Sequence, residues 1–419
     1  MREFEHDPAI QFWADLAKSY DYDWKRLFKG TGLIPPVSGG AGPGPTGYNE
    51  TADILIRTVD GVELNVLYDE IVATLRLLNR TRAPLIEWLT FPVQEPFEQI
   101  MPHVQEDFEE ADEFGQPVGI RLGAPWNMGY DLRYFDLGIR YTFRFLGRAP
   151  SGQIRALNNT ALDADQRLIL KTVLTQIFSN VTRTATLEAT GTVVSVYPFY
   201  NGDVTTLPVV PPSWKSYTHL NTHTHYLASG GATVVSGDLD DMFDHIYHHG
   251  YIQNGSEVFL IAPRTVCKTI RTFRVASGDA YDFFPVVTDP GARFMGAMVG
   301  SLPGAVNPLA GFPGHIGDYG PIHVIEEDLV PAGYMVMWVA GGPRDQGNPV
   351  GLREHENEAL RGLKLIPTFE RYPLRESFYH HALGSGTRYP GKGVVMKITT
   401  GSYDVPDLTT TLAAGPGGR

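Results

Sequence analysis

What this chain has little of narrows its role before any motif is read. It holds one cysteine, Cys267, in 419 residues. That excludes an internal disulfide framework and fits a reducing cytoplasm. Lysine is scarce: nine of the 34 basic residues, with none between Lys29 and Lys171. The formal net charge is −13, which argues against a protein that grips nucleic acid through a basic face. No apolar run reaches the roughly 18 residues of a membrane-spanning helix. The opening Met1-Arg-Glu-Phe-Glu-His lacks the apolar core of a signal peptide. The expectation is a soluble protein made inside the cell, with no membrane partner. Gly-x-Ser-x-Gly, Cys-x-x-Cys and P-loop motifs are all absent, and Cys267 has no nucleophile context. Gly42, Gly44 and Gly47 do spell G-x-G-x-x-G. Pro35 and Pro36 precede it and Pro43 and Pro45 sit inside it, so no helix starts there and the stretch reads as an arm.

What is present describes an ordered α+β protein. Hydrophobic residues make up 42% and charged ones 19%, with 45 glycines and 31 prolines supplying many turns. Phe12, Trp13, Leu16, Tyr20, Trp24, Leu27 and Phe28 suit a short amphipathic helix. Ala52–Val59 and Val62–Leu67, split by Asp60-Gly61, predict a hairpin, and Asp69–Leu78 a helix. From Phe135 to Phe145 the odd positions are Phe135, Leu137, Ile139, Tyr141, Phe143 and Phe145, and the even ones are polar or glycine. That alternation predicts one long strand of about 36 Å with one apolar face. A short helical piece, Gln153–Leu157, comes next. Asp163 then reads as the N-cap of a helix to Asn180, whose Leu170, Val173, Leu174, Ile177 and Phe178 form one buried stripe. Further on, Thr184–Tyr200 is strand-rich and Asp238–His249 predicts a helix. Val258–Ala262, Val330–Val339 and Val394–Ile398 predict strands.

Two clusters invite chemistry. Glu106, Asp107, Glu109, Glu110, Asp112 and Glu113 crowd the tip of a long excursion, but without a calcium-loop spacing they read as a solvated tip. Six of the 13 histidines fall between 219 and 249. His219, His223 and His225 share parity, while His245, His248 and His249 share a helix face. Three convergent imidazoles could bind zinc or iron. With no carboxylate partner evident in Thr-His-Thr-His, they read as polar surface or interface groups, with a pH-sensitive interface as a further option. No catalytic residue, cofactor or metal site is expected.

Several stretches resemble the major capsid proteins of tailed double-stranded DNA bacteriophages. They are Glu-Glu-Ala-Asp-Glu-Phe-Gly-Gln-Pro (109–117), Pro-Trp-Asn-Met-Gly-Tyr-Asp (125–131), Gly-Ile-Arg-Tyr-Thr-Phe-Arg-Phe-Leu (138–146) and Ala-Leu-Asn-Asn-Thr-Ala-Leu-Asp-Ala-Asp (156–165). Gly-Asp-Tyr-Gly-Pro-Ile (317–322), Asn-Pro-Val-Gly-Leu-Arg-Glu-His (348–355) and Ser-Phe-Tyr-His-His with Gly-Lys-Gly-Val-Val-Met (377–396) belong with them. The resemblance implies the Hong Kong 97-type fold. In that frame 1–50 is an N-terminal arm and linker, 51–90 a first part of the peripheral domain, and 91–149 the extended loop. Residues 150–214 hold the spine helix, 215–330 the axial domain, 331–404 the last peripheral part and 405–419 a tail. It further implies a virion shell of pentamers and hexamers, assembled in the host bacterial cytoplasm. That shell encloses DNA without sequence-specific binding, with portal, scaffold and decoration proteins as partners. Trp126, Phe135, Leu137, Ile139, Tyr141, Phe143 and Phe145 are then the expected intersubunit surface. Relatives that weld subunits use a loop lysine, which this loop lacks. The rival expectations are an encapsulin-like compartment and a histidine-ligated metalloenzyme.

Overall fold

The computed structural model of the chain describes residues 57–80, 82–100, 110, 126–187, 191–202, 223–252, 256–286, 312–367 and 374–408. In chain order these form α1 (Leu64–Arg80), α2 (Pro84–Leu89), β1 (Thr90–Val93), β2 (Phe97–Ile100), β3 (Trp126–Gly129), β4 (Arg133–Thr142), α3 (Phe143–Leu146) and α4 (Ser151–Phe178). There follow β5 (Arg183–Thr186), β6 (Val193–Val196), β7 (Tyr226–Ala228), α5 (Ser236–Tyr247), β8 (Glu257–Ala262), α6 (Arg264–Ile270) and β9 (Phe283–Pro285). The last strands are β10 (His315–Tyr319), β11 (Ile322–Glu326), β12 (Tyr334–Ala340), β13 (Val350–Glu354), β14 (Lys364–Pro367), β15 (Leu374–Thr387) and β16 (Gly393–Lys397). The expected N-terminal helix, the Gly/Pro arm, His219 and the acidic tip apart from Glu110 lie outside the described residues.

The chain divides into two compact units. The first comprises Met1–Thr81, Phe135–Asp165 and Leu363–His381. Asp60-Gly61 does turn the chain, with Gly61 at φ +81°, but the residues after it are helical rather than extended. Leu64, Leu67, Ile71, Leu75 and Leu78 recur every three or four positions, which suits α1 and not a strand. Leu75 packs with Ala161, Leu363 and Tyr379, and Leu67 with Leu146 and Ile154. Asp60 ties the turn to the start of α4. Its carboxylate accepts from the Ser151 amide at 3.0 Å and from the Ser151 hydroxyl at 2.5 Å. Hydrogen bonds from Ser151 and Thr58 hold that carboxyl well below its ordinary range.

Helix α4 corrects the expectation of a short piece followed by a cap at Asp163. It runs unbroken for 28 residues, about 42 Å at 1.5 Å per residue. Two buried polar residues along it, Asn158 and Asp165, find partners from β15 without ending it. Asn158 donates back to the Ile154 carbonyl at 2.8 Å and accepts from the buried Tyr379 hydroxyl at 2.5 Å. Asp165 accepts from His381 Nδ1 at 2.5 Å, and the two side chains are only 3% and 2% exposed.

The second unit comprises Arg82–Tyr134, Gln166–Gly362 and Ala382–Arg419. Ile169, Leu170, Val173, Leu174, Ile177 and Phe178 of α4 are all buried here. A seven-stranded mixed sheet runs β7-β16-β12-β8-β11-β10-β9. It draws two of its inner strands, β12 and β16, from beyond residue 330. Every residue of β12 is buried, which explains its unalternating Tyr-Met-Val-Met-Trp-Val-Ala. Met335, Met337 and Val339 share a core with Leu239, Met242 and Ile246 of α5 and Val266, Cys267 and Ile270 of α6. On the opposite face Phe259 stacks on Trp338 at 5.3 Å, and Trp88 of α2 meets Phe259 edge-on at 5.1 Å. In this unit β13 also pairs antiparallel with the end of β15, Glu354 opposite Leu383 and Val350 opposite Thr387. Strand β1 is parallel to β13, and Phe91 and Val93 are buried. The excursion therefore leaves the sheet after Val93, not at Phe91.

Replacing Asp165 with alanine leaves a buried imidazole without its acceptor. Asp165→Ala should lower stability by about 2 kcal/mol, read as a shifted denaturant midpoint, and Asp165→Asn should cost less.

Candidate functional site

The excursion is rooted in the second unit as an antiparallel hairpin, with Phe97 opposite Gly129 and Ile100 opposite Trp126. Its returning strand lies against β6: a Cβ at Gly129 would come within 2.8 Å of the Ser195 carbonyl. The next residue, Tyr130, is wholly buried. Its ring stands edge-on to Phe91 at 6.4 Å, and its hydroxyl donates to Glu98 at 3.2 Å. Burial, with the Glu98 carboxylate beside it, pushes the phenol far up, so it stays a donor. Arg388 closes this chain of contacts on Glu98 at 2.9 Å, and Arg353 donates to the Tyr130 carbonyl at 3.0 Å. The sheet beneath is bare where the strand crosses. A Cβ at Gly351 or Gly386 would strike the Tyr130 ring, and one at Gly384 would strike the Asp131 carbonyl.

Strand β4 ends at Thr142, whose Oγ1 accepts from the Phe145 amide at 3.1 Å and caps α3. The expected strand over Phe135–Phe145 is thus cut short, and its apolar residues are not all left for another chain. Within the first unit Ile139 packs with Leu75, Ala161 and Tyr379. Tyr141 and Phe145 pack with Leu67, Leu146 and Ile154 and stack on each other at 5.8 Å. Those three are spoken for by their own chain. Phe135 is half-buried, while Leu137 remains 43% exposed. The side chains of Phe143 and Trp126 lie outside the described residues. On the polar face, Arg140 pairs with Glu376 at 3.0 Å and Asp136 with His380 at 2.6 Å.

The histidines depart furthest from expectation. Strand β7 begins only at Tyr226, so His223 and His225 sit on the extended segment before it, and α5 ends at Tyr247, before His249. His225 and His249 are fully buried, not surface groups. Their Nε2 atoms lie 2.9 Å apart, and each is 3.0 Å from His223 Nε2. His245 stacks on His223 at 5.4 Å, and His248 caps α5, but neither belongs to the convergent three. Shared parity hinted at 223 with 225. Nothing in the local pattern brought 249 to them, because that needs the α5 turn.

A second cluster escaped sequence reasoning, since its members are scattered. His323 sits between two carboxylates, with Nδ1 2.7 Å from Asp318 and Nε2 2.8 Å from Glu257. His315 reaches the same Asp318 oxygen at 2.9 Å. Burial opposes charge on His323, but the hydrogen bonds to Asp318 and Glu257 outweigh it and raise its pKa. Burial likewise pushes Asp318 up, yet the two histidines hold its carboxyl well below the ordinary range. With a carboxylate at each ring nitrogen, this half-buried imidazole is biased toward its protonated form, although His315, Asp318 and His323 also lie close enough together to share an ion. Cys267 lies on the buried face of α6 and its thiol is pushed up to about 12 by burial, so it supplies no thiolate near neutrality.

The fold has a solved counterpart. A protein of Mycobacterium phage Patience superposes with a TM-score of 0.63 and 33% identity, covering 90% of this chain and 99% of that one. The chain belongs to the Hong Kong 97-type major capsid proteins of tailed bacteriophages. It is a major capsid protein, and its role is structural. Looser likenesses are the SrpI encapsulin of Synechococcus elongatus PCC 7942 (12% identity, TM-score 0.43, 80% of this chain and 98% of that one) and the mature capsid of bacteriophage PhiM1 (11%, 0.44, 76% and 88%). No protein-family model and no curated protein matches the chain. The glycine-seated hairpin root and the exposed part of β4 are thus features of a capsid subunit.

The raised His323 pKa gives this capsid protein a signed pH dependence. Its stabilisation is complete below the unfolded histidine pKa of about 6.5 and fades as pH rises through the higher folded value. The Asp318 contribution is present above about 3.9 and is lost on further acidification. His323→Gln should cost about 2 kcal/mol at pH 6. Thermal melts between pH 5 and 9 should show a decline above pH 6.5 in the wild type that is flattened in the variant.

Proposed function

We propose that this capsid protein closes as pentamers and hexamers into an icosahedral head around double-stranded DNA, with the β2–β3 hairpin laid over a neighbouring copy. The observation that carries this reading is the hairpin root. Tyr130, Glu98, Arg388 and Arg353 lock it against a glycine face, while β4, the strand that follows, leaves Leu137 uncovered. A strand pair with a fixed base and an exposed apolar residue on the next strand of the chain suit contacts completed by another subunit.

The surface charge supports a container more than a binder. A net charge of −13 lets a lining hold packaged DNA without adhering to it, the neutralising cations coming from solution. No lysine lies between Lys29 and Lys171, so the hairpin offers no amine for covalent welding and the contact is non-covalent. The chain works without enzymatic activity. Assembly takes place in the cytoplasm of the bacterial host, with portal and scaffold proteins as partners and decoration proteins added outside.

Leu137 gives the sharper test than Phe145, because charge at Phe145 would disrupt the chain's own packing. Wild-type protein, expressed alone or with its scaffold, should sediment as megadalton closed particles. Leu137→Glu should keep its melting profile within about 0.5 kcal/mol yet give few or no closed shells by negative-stain microscopy. Wild-type yields of shells from that variant would remove β4 from the interface.

A further inference from the structure

We infer that His223, His225 and His249 form a binding site for one divalent transition-metal ion of zinc-like chemistry, which staples the edge of the seven-stranded sheet to the end of α5. Three ring nitrogens converge at 2.9–3.0 Å from one another. Each Nε2 carries either one proton or one lone pair in the ring plane, and a proton on one can point at only one of the others. Three mutual contacts therefore cannot all be hydrogen bonds, whereas a single cation satisfies three lone pairs at once.

The tautomer of one member is set from behind. His225 Nδ1 lies 2.7 Å from the Gly393 carbonyl, an acceptor, so Nδ1 holds the proton and Nε2 presents its lone pair to the other two rings. A carbonyl behind a ligating histidine is the support that orients and strengthens such ligands. The backbone of His225 is pinned as well: its amide donates to Tyr200 O at 2.7 Å and its carbonyl accepts from Val395 at 2.8 Å. The Tyr200 ring stacks on His249 at 5.2 Å and meets His225 edge-on at 5.5 Å, walling the group with aromatic surface. Gly391 leaves room for His249, since a Cβ there would come within 3.0 Å of the imidazole.

Size and donor type select the ion. A ligand triangle of this edge has its corners about 1.7 Å from its centre, so an ion with bonds of about 2.0–2.1 Å sits roughly 1 Å above the plane. Widening each edge by a few tenths of an ångström reaches tetrahedral spacing. Among the described residues no carboxylate joins the three, which disfavours calcium and magnesium and suits zinc, cobalt, nickel or copper. Three neutral ligands leave the ion's charge intact, and the half-buried His223 marks the more accessible side of the site. Bound there, the ion would join the segment before β7 to the residue just past α5. This is a structural staple within one subunit, and it stands whether or not shells close as proposed above.

The test uses the full-length chain stripped with chelator and titrated with Zn²⁺ by calorimetry, and with Co²⁺ by visible absorption. One equivalent per chain, a tetrahedral Co²⁺ spectrum and a zinc-dependent rise in melting temperature are expected. His223→Ala, at the half-buried corner, should weaken binding by about tenfold or more, and His249→Gln should abolish it. His323→Gln should leave the count unchanged, which separates this site from the carboxylate-bound cluster. Should the His249 variant not fold, His223→Ala and the wild-type Co²⁺ spectrum decide alone. Wild type that takes up no stoichiometric metal, or whose uptake His223→Ala leaves unaltered, would overturn the assignment in favour of a proton shared among the three rings.

Discussion

One stretch of backbone can press on a sheet face only where that face carries no side chains. In this capsid protein the stretch from Gly129 to Asp131 does so, over Gly351, Gly384 and Gly386. The gap left by the missing Cβ atoms admits the Tyr130 ring, and its burial brings Glu98, Arg388 and Arg353 into register around it. Glycine in a strand ordinarily weakens it. Here that weakness is offset by the close approach it allows, and the approach fixes where the hairpin leaves the sheet.

Buried polar groups act as joints elsewhere in the second unit. Asn348 is wholly buried and donates to the carbonyls of Thr90 and Gly342 at 3.0 Å each while accepting from Gly341 at 3.1 Å. Gln176, on α4, donates to Tyr197 O at 2.7 Å and to the Thr387 hydroxyl at 2.9 Å and accepts from Arg183. Each satisfies backbone that no regular ladder reaches, and each becomes costly if its partner moves. The two histidine groups show the same economy with different occupants. Carboxylates around His323 favour a proton, whereas three facing imidazoles favour a metal. The donor set, not the histidine count, decides which.

How far the chain covers its own apolar residues also took a form that alternation alone does not reveal. Ile139, Tyr141 and Phe145 look equivalent to Leu137 in the chain, yet α1, α4 and β15 cover the first three and leave the last. A subunit that folds before it assembles needs most of its apolar surface covered by its own residues, with a small remainder kept for its neighbours.

Local pattern was enough for much of this protein. The stripe from Leu170 to Phe178, the helix around Leu239 and Met242, the strands at 258–262 and 334–340 and the turn at Asp60-Gly61 all follow from spacing that any short window contains. Family resemblance in stretches such as 138–146 and 348–355 pointed to the capsid class. Other features depend on partners far along the chain. Helix α4 continues through Asp163 because Asp165 finds His381 and Asn158 finds Tyr379, over 200 residues away. The glycines of β13 and β15 acquire their purpose only when Tyr130 lands on them, and His249 joins His223 and His225 only when α5 turns back on the sheet. Periodicity determines which faces are apolar, but which apolar or polar groups meet is decided by long-range packing, where distance along the chain carries no information about distance in space.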